Sequence, residues 1–220
     1  MVPTAIVDQA KLMGLDIIGI CDHNSAENVS AVLEAGRRRD LPVIPGMEIT
    51  SREEVHVLGL FGDEEDLSAL QELVYRNLPG ENDPDFFGDQ TIVDDRDGEL
   101  GCTTKLLIGA TTFSLEETVR VIHEAGGLAI AAHIDRERFG LIGQLGFVPE
   151  GLLVDAVEVS RDWSPGASSE YTVVTFSDAH VLRDIGRSST SFMLEGATLA
   201  EIGKALRNED GRGILSGGGD

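Results

Sequence analysis

The chain has 220 residues, of which 41% are hydrophobic, enough to bury the core of one domain of ordinary size. No apolar run nears the ~18 residues that cross a bilayer, no basic stretch leads into a hydrophobic one at the N-terminus, and the 2 cysteines form neither a disulfide framework nor a zinc ribbon; the expectation is a soluble protein of a reducing cytoplasm, with no membrane contact. With 17 Lys and Arg against 39 Asp and Glu, the net charge of −22 repels polyanions and argues against long nucleic acid, whose binding rests on clustered cations.

From the N-terminus, Pro3 to Met13 has apolar residues at helical spacing and stops at Gly14, so a helix is expected there. A strand over Leu15 to Cys21, a helix over 26 to 39, strands over Pro42 to Thr50 and Val55 to Phe61, and a helix over Glu64 to Leu78 follow. The cluster Arg37, Arg38 and Arg39 is read as cations at a helix C-terminus complementing its dipole. Pro79 and Gly80 then break the rhythm. Residues 79 to 110 read as an acidic excursion, with two short strands about an Asp97-Gly98 turn. Its Asp-x-Asp-Gly fragment lacks the later glutamate of a calcium loop. The pattern resumes with a capping box, Ser114 and Glu117, opening a helix that closes at Gly126-Gly127. Strands are expected at Leu128 to Ala132, Ala156 to Ser160, Thr172 to Phe176 and Ser189 to Leu194, then a helix capped by Thr198 and Glu201, and a disordered tail from Ser216 to Asp220. Alternating strands and helices imply an α/β domain around a mostly parallel sheet, spanning 1 to 215.

Polar residues fall at the ends of these strands. LDIIGI runs into Cys21-Asp22-His23-Asn24, LPVIPG into Met47-Glu48, LAIAA into His133-Ile134-Asp135-Arg136, and TVVTF into Ser177-Asp178-Ala179-His180. In barrel-like α/β folds, the C-terminal strand ends converge on one face. A set of His, Asp and Glu without thiolate suits Zn, Mn or Fe in a catalytic role. Each residue alone has a structural reading: a turn pair, an exposed loop acid, a satisfied core histidine. Four such strand ends, with His56 in VHVLGL added, favour metal binding. His123, inside the helix TVRVIHEAGG, is read as a helix-surface residue.

LDIIGICDHNS, IPGMEIT followed by EEVHVLGLF, AIAAHIDR, and FSDAH with its DIGR resemble, in order, the motifs of the PHP (polymerase and histidinol phosphatase) family. The resemblance implies a distorted seven-stranded (β/α)₇ TIM-like barrel with up to three divalent transition metals (Mn, Zn or Fe). It also implies hydrolysis of phosphate esters by metal-activated hydroxide. Carried over by motif, Glu48 bridges two metals, His56 and His133 complete the second site, Asp178 binds the first metal, and His23 and His180 serve the third. Asp22 is then a proton acceptor or supporting partner beside them. Apart from the motif, Arg136 is read as a phosphate clamp, because a guanidinium can hold two phosphate oxygens at once; the alternative is a structural ion pair.

One part of the pattern is lacking. Family members begin with a strand reading roughly Asp-Leu-His-x-His, and nothing before Pro3 supplies it. Three explanations stand: a start placed too far downstream, a shortened chain, or a degenerate metal site. The first is favoured, since Met1-Val2-Pro3 falls where relatives have an internal Met-x-Pro and Val2 is a poor N-cap. A missing strand leaves sheet edges that a second copy could pair, making a homo-oligomer. The expected substrates are small phosphate monoesters, nucleotides or short oligonucleotides. The alternatives are an exonuclease module of the same family and an inactive relative with an incomplete metal site.

Overall fold

The computed structural model describes residues 1–160 and 170–215. Helix α1 (Pro3–Leu12) leads to strand β1 (Ile18–His23), helix α2 (Val29–Arg38), strands β2 (Val43–Thr50) and β3 (His56–Leu60), and helix α3 (Glu64–Asn77). The acidic excursion holds a short helix α4 (Pro84–Phe87) and the antiparallel pair β4 (Thr91–Val93) and β5 (Glu99–Cys102). Helix α5 (Leu115–Glu124), β6 (Leu128–Ala131), α6 (Leu141–Leu145), β7 (Ala156–Glu158), β8 (Val173–Val174), β9 (Phe192–Met193), α7 (Leu199–Leu206) and β10 (Gly213–Ile214) complete the order.

Local chemistry fixes the helix starts. Ser114 accepts the Glu117 N–H and the Glu117 carboxylate accepts the Ser114 N–H, so both halves of the expected capping box form. Asp63 accepts from the N–H groups of Glu65 and Asp66 at the start of α3. Helix α1 opens on Val2, whose side chain cannot cap. Its orphan Thr4 N–H donates instead to Asp97 at 3.0 Å, across 93 residues. The excursion is therefore docked: Asn28 at the start of α2 accepts the Val93 N–H and donates to the Thr91 carbonyl.

The main sheet has 6 strands in the order β1-β2-β3-β6-β7-β8. Strands β1 and β2 are parallel, as are β6, β7 and β8 in their ladders, whereas β3 runs antiparallel to both β2 and β6. A short β2–β3 connection permits that reversal, since antiparallel neighbours need no crossover helix. Among the described residues no ladder joins β1 to β8. The strand expected at Ser189 to Leu194 is shorter and lies outside this sheet: β9 pairs antiparallel with β10. The tail 216–220 falls outside the described residues.

One face of the sheet, through Met47, Ile49, Val57, Ala129, Ala131 and Val157, packs against α2, α3 and α5. The other, through Ile44, Leu60, Ile130, Ala156 and Val174, meets Ile202 and Leu206 of α7. Burying both faces explains why these strands read as continuous apolar runs. The three arginines at the end of α2 pair with Glu34, Asp95 and Asp8, so their charge is locally spent. No helix among the described residues is long and apolar enough to cross a membrane.

Candidate metal centre

Parallel pairing places His23 opposite Glu48 in register, at the C-terminal ends of β1 and β2. Because β3 runs the other way, its first residue, His56, stands at that same edge, paired with Thr50. His133 comes two residues after the end of β6. Asp178 and His180 come from the loop after β8. Three residues just past strand ends, Asn24, His133 and Asp178, have positive φ values of 48°, 30° and 43°, a conformation that costs non-glycine residues about 1–3 kcal/mol each.

Glu48 is the hub. Its Oε1 lies 2.9 Å from His56 Nδ1 and 3.3 Å from His133 Nε2, and its Oε2 lies 3.3 Å from His23 Nδ1. The cluster extends outward, with His180 Nε2 at 3.4 Å from His23 Nε2 and His180 Nδ1 at 3.7 Å from Asp178 Oδ1. Glu48, His56 and His133 are only 4%, 6% and 4% exposed. Burial by itself pushes the Glu48 carboxyl up, but hydrogen bonds from His133 and His56 and the nearby His23 outweigh it and hold the group well below the usual carboxylate range. Burial pushes His23 down, which favours its neutral, ligating form.

These donors fit a divalent cation. Ligand atoms of His23, Glu48 and His56 all lie within 4.8 Å of one another. His133 Nε2 also approaches His56 Nδ1 to 3.3 Å, a nitrogen pair that one proton or one shared cation must bridge. His133 Nδ1 is buried with no partner among the described residues. Imidazole and carboxylate suit Zn, Mn or Fe. Cys21 is not in this group of ligand atoms, and burial pushes its thiol pKa up.

The structure thus brings together His23, Glu48, His56, His133, Asp178 and His180. Arg136 joins them at the rim through an ion pair between its Nη1 and Asp178 Oδ2. Asp22 does not join. Alternation along β1 turns it away from the face of His23, into a separate cavity of about 580 Å³ that it lines with Met1, Ile6, Ile20, Asn28 and Asp97. There burial raises its pKa, partly offset by a hydrogen bond from Asn28. His123 stays outside the cluster as expected, paired with Asp155 at 2.9 Å.

The sequence reading missed two residues. Glu158, 4% exposed at the end of β7, accepts the His133 backbone N–H at 3.0 Å and so helps hold that histidine in its left-handed conformation. A lone carboxylate inside the apolar strand Ala156–Glu158 was the available signal. Asn24, 0% exposed, accepts the Thr50 N–H at 3.0 Å and donates to the carbonyls of Leu107 and Gly109, each at 2.8 Å. Its partners in the excursion lie more than 80 residues away, so nothing local announced them.

Three comparisons bear on this arrangement. No family model matches the chain. An uncharacterised protein of Bacillus subtilis, YqxK, is 31% identical over 106 residues, covering 43% of this chain and 27% of that protein. Among solved structures, the lesion-specific endonuclease Q of Pyrococcus furiosus superposes with a TM-score of 0.73 at 18% identity, over 98% of this chain and 53% of that one. Endonuclease Q bound to a 27-mer duplex with an abasic lesion at its active site gives 0.72 at 18% identity, over 96% and 53%. A candidate metal-dependent phosphoesterase from Bifidobacterium adolescentis gives 0.55 at 18% identity, over 86% and 84%. The chain spans about half the length of the endonuclease Q structures and about a quarter of YqxK. At these identities the solved structures show the fold: a mixed α/β domain with a mostly parallel central sheet, shared with an endonuclease and a phosphoesterase candidate.

Proposed function

We propose that this chain is a metal-dependent phosphoesterase of the PHP kind, cleaving phosphate esters of nucleotides, short oligonucleotides or small metabolites. The observation that carries the reading is the convergence of one buried carboxylate, Glu48, with the imidazoles of His23, His56 and His133. Glu48, His56 and His133 would hold one metal, and His23 with His180 and Asp178 would hold others. Bound divalent metals supply an acidified water and a Lewis acid for phosphoryl oxygens. The chain's own residues do the rest. Glu48 stays ionised and fixes the imidazoles around it, Glu158 pins His133, and Arg136, already bound to a carboxylate oxygen of Asp178, can offer the same fork to a phosphate. Phe139 stacks on His56, ring centroids 4.5 Å apart at 10°, and shields that ligand from water.

A nuclease reading has its own support in the endonuclease Q structures, one of them holding duplex DNA. Charge weighs the other way, since a net −22 opposes a polyanion over many phosphates. About half of the endonuclease Q chain has no counterpart here. The test is hydrolysis with Mn²⁺ of mononucleotides, short oligonucleotides, histidinol phosphate, and duplex DNA with and without an abasic site. Cleavage of small esters supports the phosphoesterase, selective cleavage of long duplex transfers the assignment to the nuclease, and metal-independent or absent turnover defeats both.

A further inference from the structure

The cavity over the metal-ligand cluster measures only about 160 Å³. Pockets that enclose a whole small-molecule ligand run from about 300 to 1,000 Å³. It admits a phosphoryl group, and the remainder of any ester must pass out over the rim. That rim is formed by Ile108, Arg136, Arg138 and Phe139, so its chemistry decides what the remainder can be.

Ile108 is 59% exposed, yet the backbone on both sides of it is tied down. The carbonyls on either side of it, Leu107 and Gly109, are both gripped by the buried Asn24 amide. The Leu107 N–H donates to Gln90 at 3.1 Å, and the Gly109 N–H closes a turn onto Leu106 at 2.9 Å. A large apolar side chain held on a fixed backbone at a catalytic mouth presents a ready contact surface without an ordering cost. Of the two rim arginines, Arg136 is engaged by Asp178. Arg138 has no carboxylate partner among the described residues, in a chain with 39 acidic side chains.

We infer that Ile108 and Arg138 form a substrate-selecting rim, Ile108 packing against the nucleoside attached to the reacting phosphate and Arg138 taking the phosphate of the adjoining nucleotide. A lone phosphomonoester uses neither contact fully, and a short oligonucleotide uses both. The inference rests on the phosphoesterase reading, and it names the substrate within it.

Binding, not turnover, tests it. The probe is a dye-labelled trithymidylate with phosphorothioate linkages, followed by fluorescence anisotropy on the Mn²⁺-loaded protein, with inorganic phosphate as competitor. The wild type should prefer the trinucleotide to phosphate by at least tenfold. Ile108→Asp should erase most of that preference. Arg138→Ala should lower the slope of log affinity against log salt by about 0.7, the share of one single-strand phosphate contact, and Arg138→Lys should restore it. Equal affinity of the wild type for phosphate and trinucleotide overturns the proposal. So does unchanged trinucleotide binding in Ile108→Asp and Arg138→Ala. Failure of the phosphoesterase reading shows separately, as absent hydrolysis of every ester by a protein that still binds the probe.

Discussion

His133 Nε2 lies 3.3 Å from Glu48 Oε1 although the two residues are 85 positions apart. The sheet order explains it, since β2 and β6 both flank β3 and deliver their ends to one edge. Glu48 is therefore the residue whose loss separates the imidazoles. Glu48→Gln keeps the shape but removes the charge that two metals would share, and it should lower Mn²⁺-dependent hydrolysis by at least about 100-fold. Metal content should fall with it. Steady-state kinetics alongside elemental analysis checks both, and retention of full activity by the variant would refute the bridging role.

Glu158 acts on the same histidine from the other side. Glu158→Ala leaves the His133 N–H buried without an acceptor and should cost about 1–3 kcal/mol in urea unfolding. Glu158→Gln keeps an acceptor oxygen and should recover most of that loss. Mn²⁺ affinity should follow the same order: wild type, then Gln, then Ala.

Gly140 is packed under the loop that carries His133 and Arg136. A Cβ there would collide with the Arg136 carbonyl oxygen and sit 2.7 Å from that of His133. Backbone must move to accept it, so Gly140→Ala should weaken metal binding by tenfold or more while circular dichroism still reports a folded α/β chain. Unaltered metal affinity would mean that the loop has slack that the packing does not show.

Acid should loosen the C-terminal corner. Arg212 holds the Glu201 carboxyl down to about 2, through an Nε–Oε2 contact of 2.7 Å. A carboxylate with a depressed folded pKa stabilises above its unfolded value, near 4.5, and that contribution fades as pH falls towards 2. Hydrogen-exchange protection at α7 and the β9–β10 pair, taken relative to the intrinsic amide rate at each pH, should fall between pH 4.5 and 2. In Arg212→Gln, where the stabilising partner is gone, exchange at pH 7 should already be raised and the acid-dependent step largely lost.

How much of this was legible follows from the range of each signal. Apolar runs ending in His, Asp or Glu marked the strand ends, because one residue of chain separates the core from the mouth. Strand alternation was also readable: Asp22 and His23 are neighbours on β1 and cannot both face the cluster. Antiparallel β3 was not readable, since the hydrophobic pattern of a buried strand carries no direction. Nor was the docking of the excursion, where Asp97 caps α1 and Asn24 ties down residues 107 and 109. Those are single side-chain contacts across 80 or more residues, invisible to any local period.

The most direct measurement is the transition-metal content of the folded protein after Mn²⁺ or Zn²⁺ loading and exhaustive dialysis, compared with His56→Ala. The wild type should hold at least one ion tightly per chain, and the variant should hold clearly less. A folded wild type that retains no metal, or a His56→Ala protein that retains as much, would contradict metal binding at this cluster.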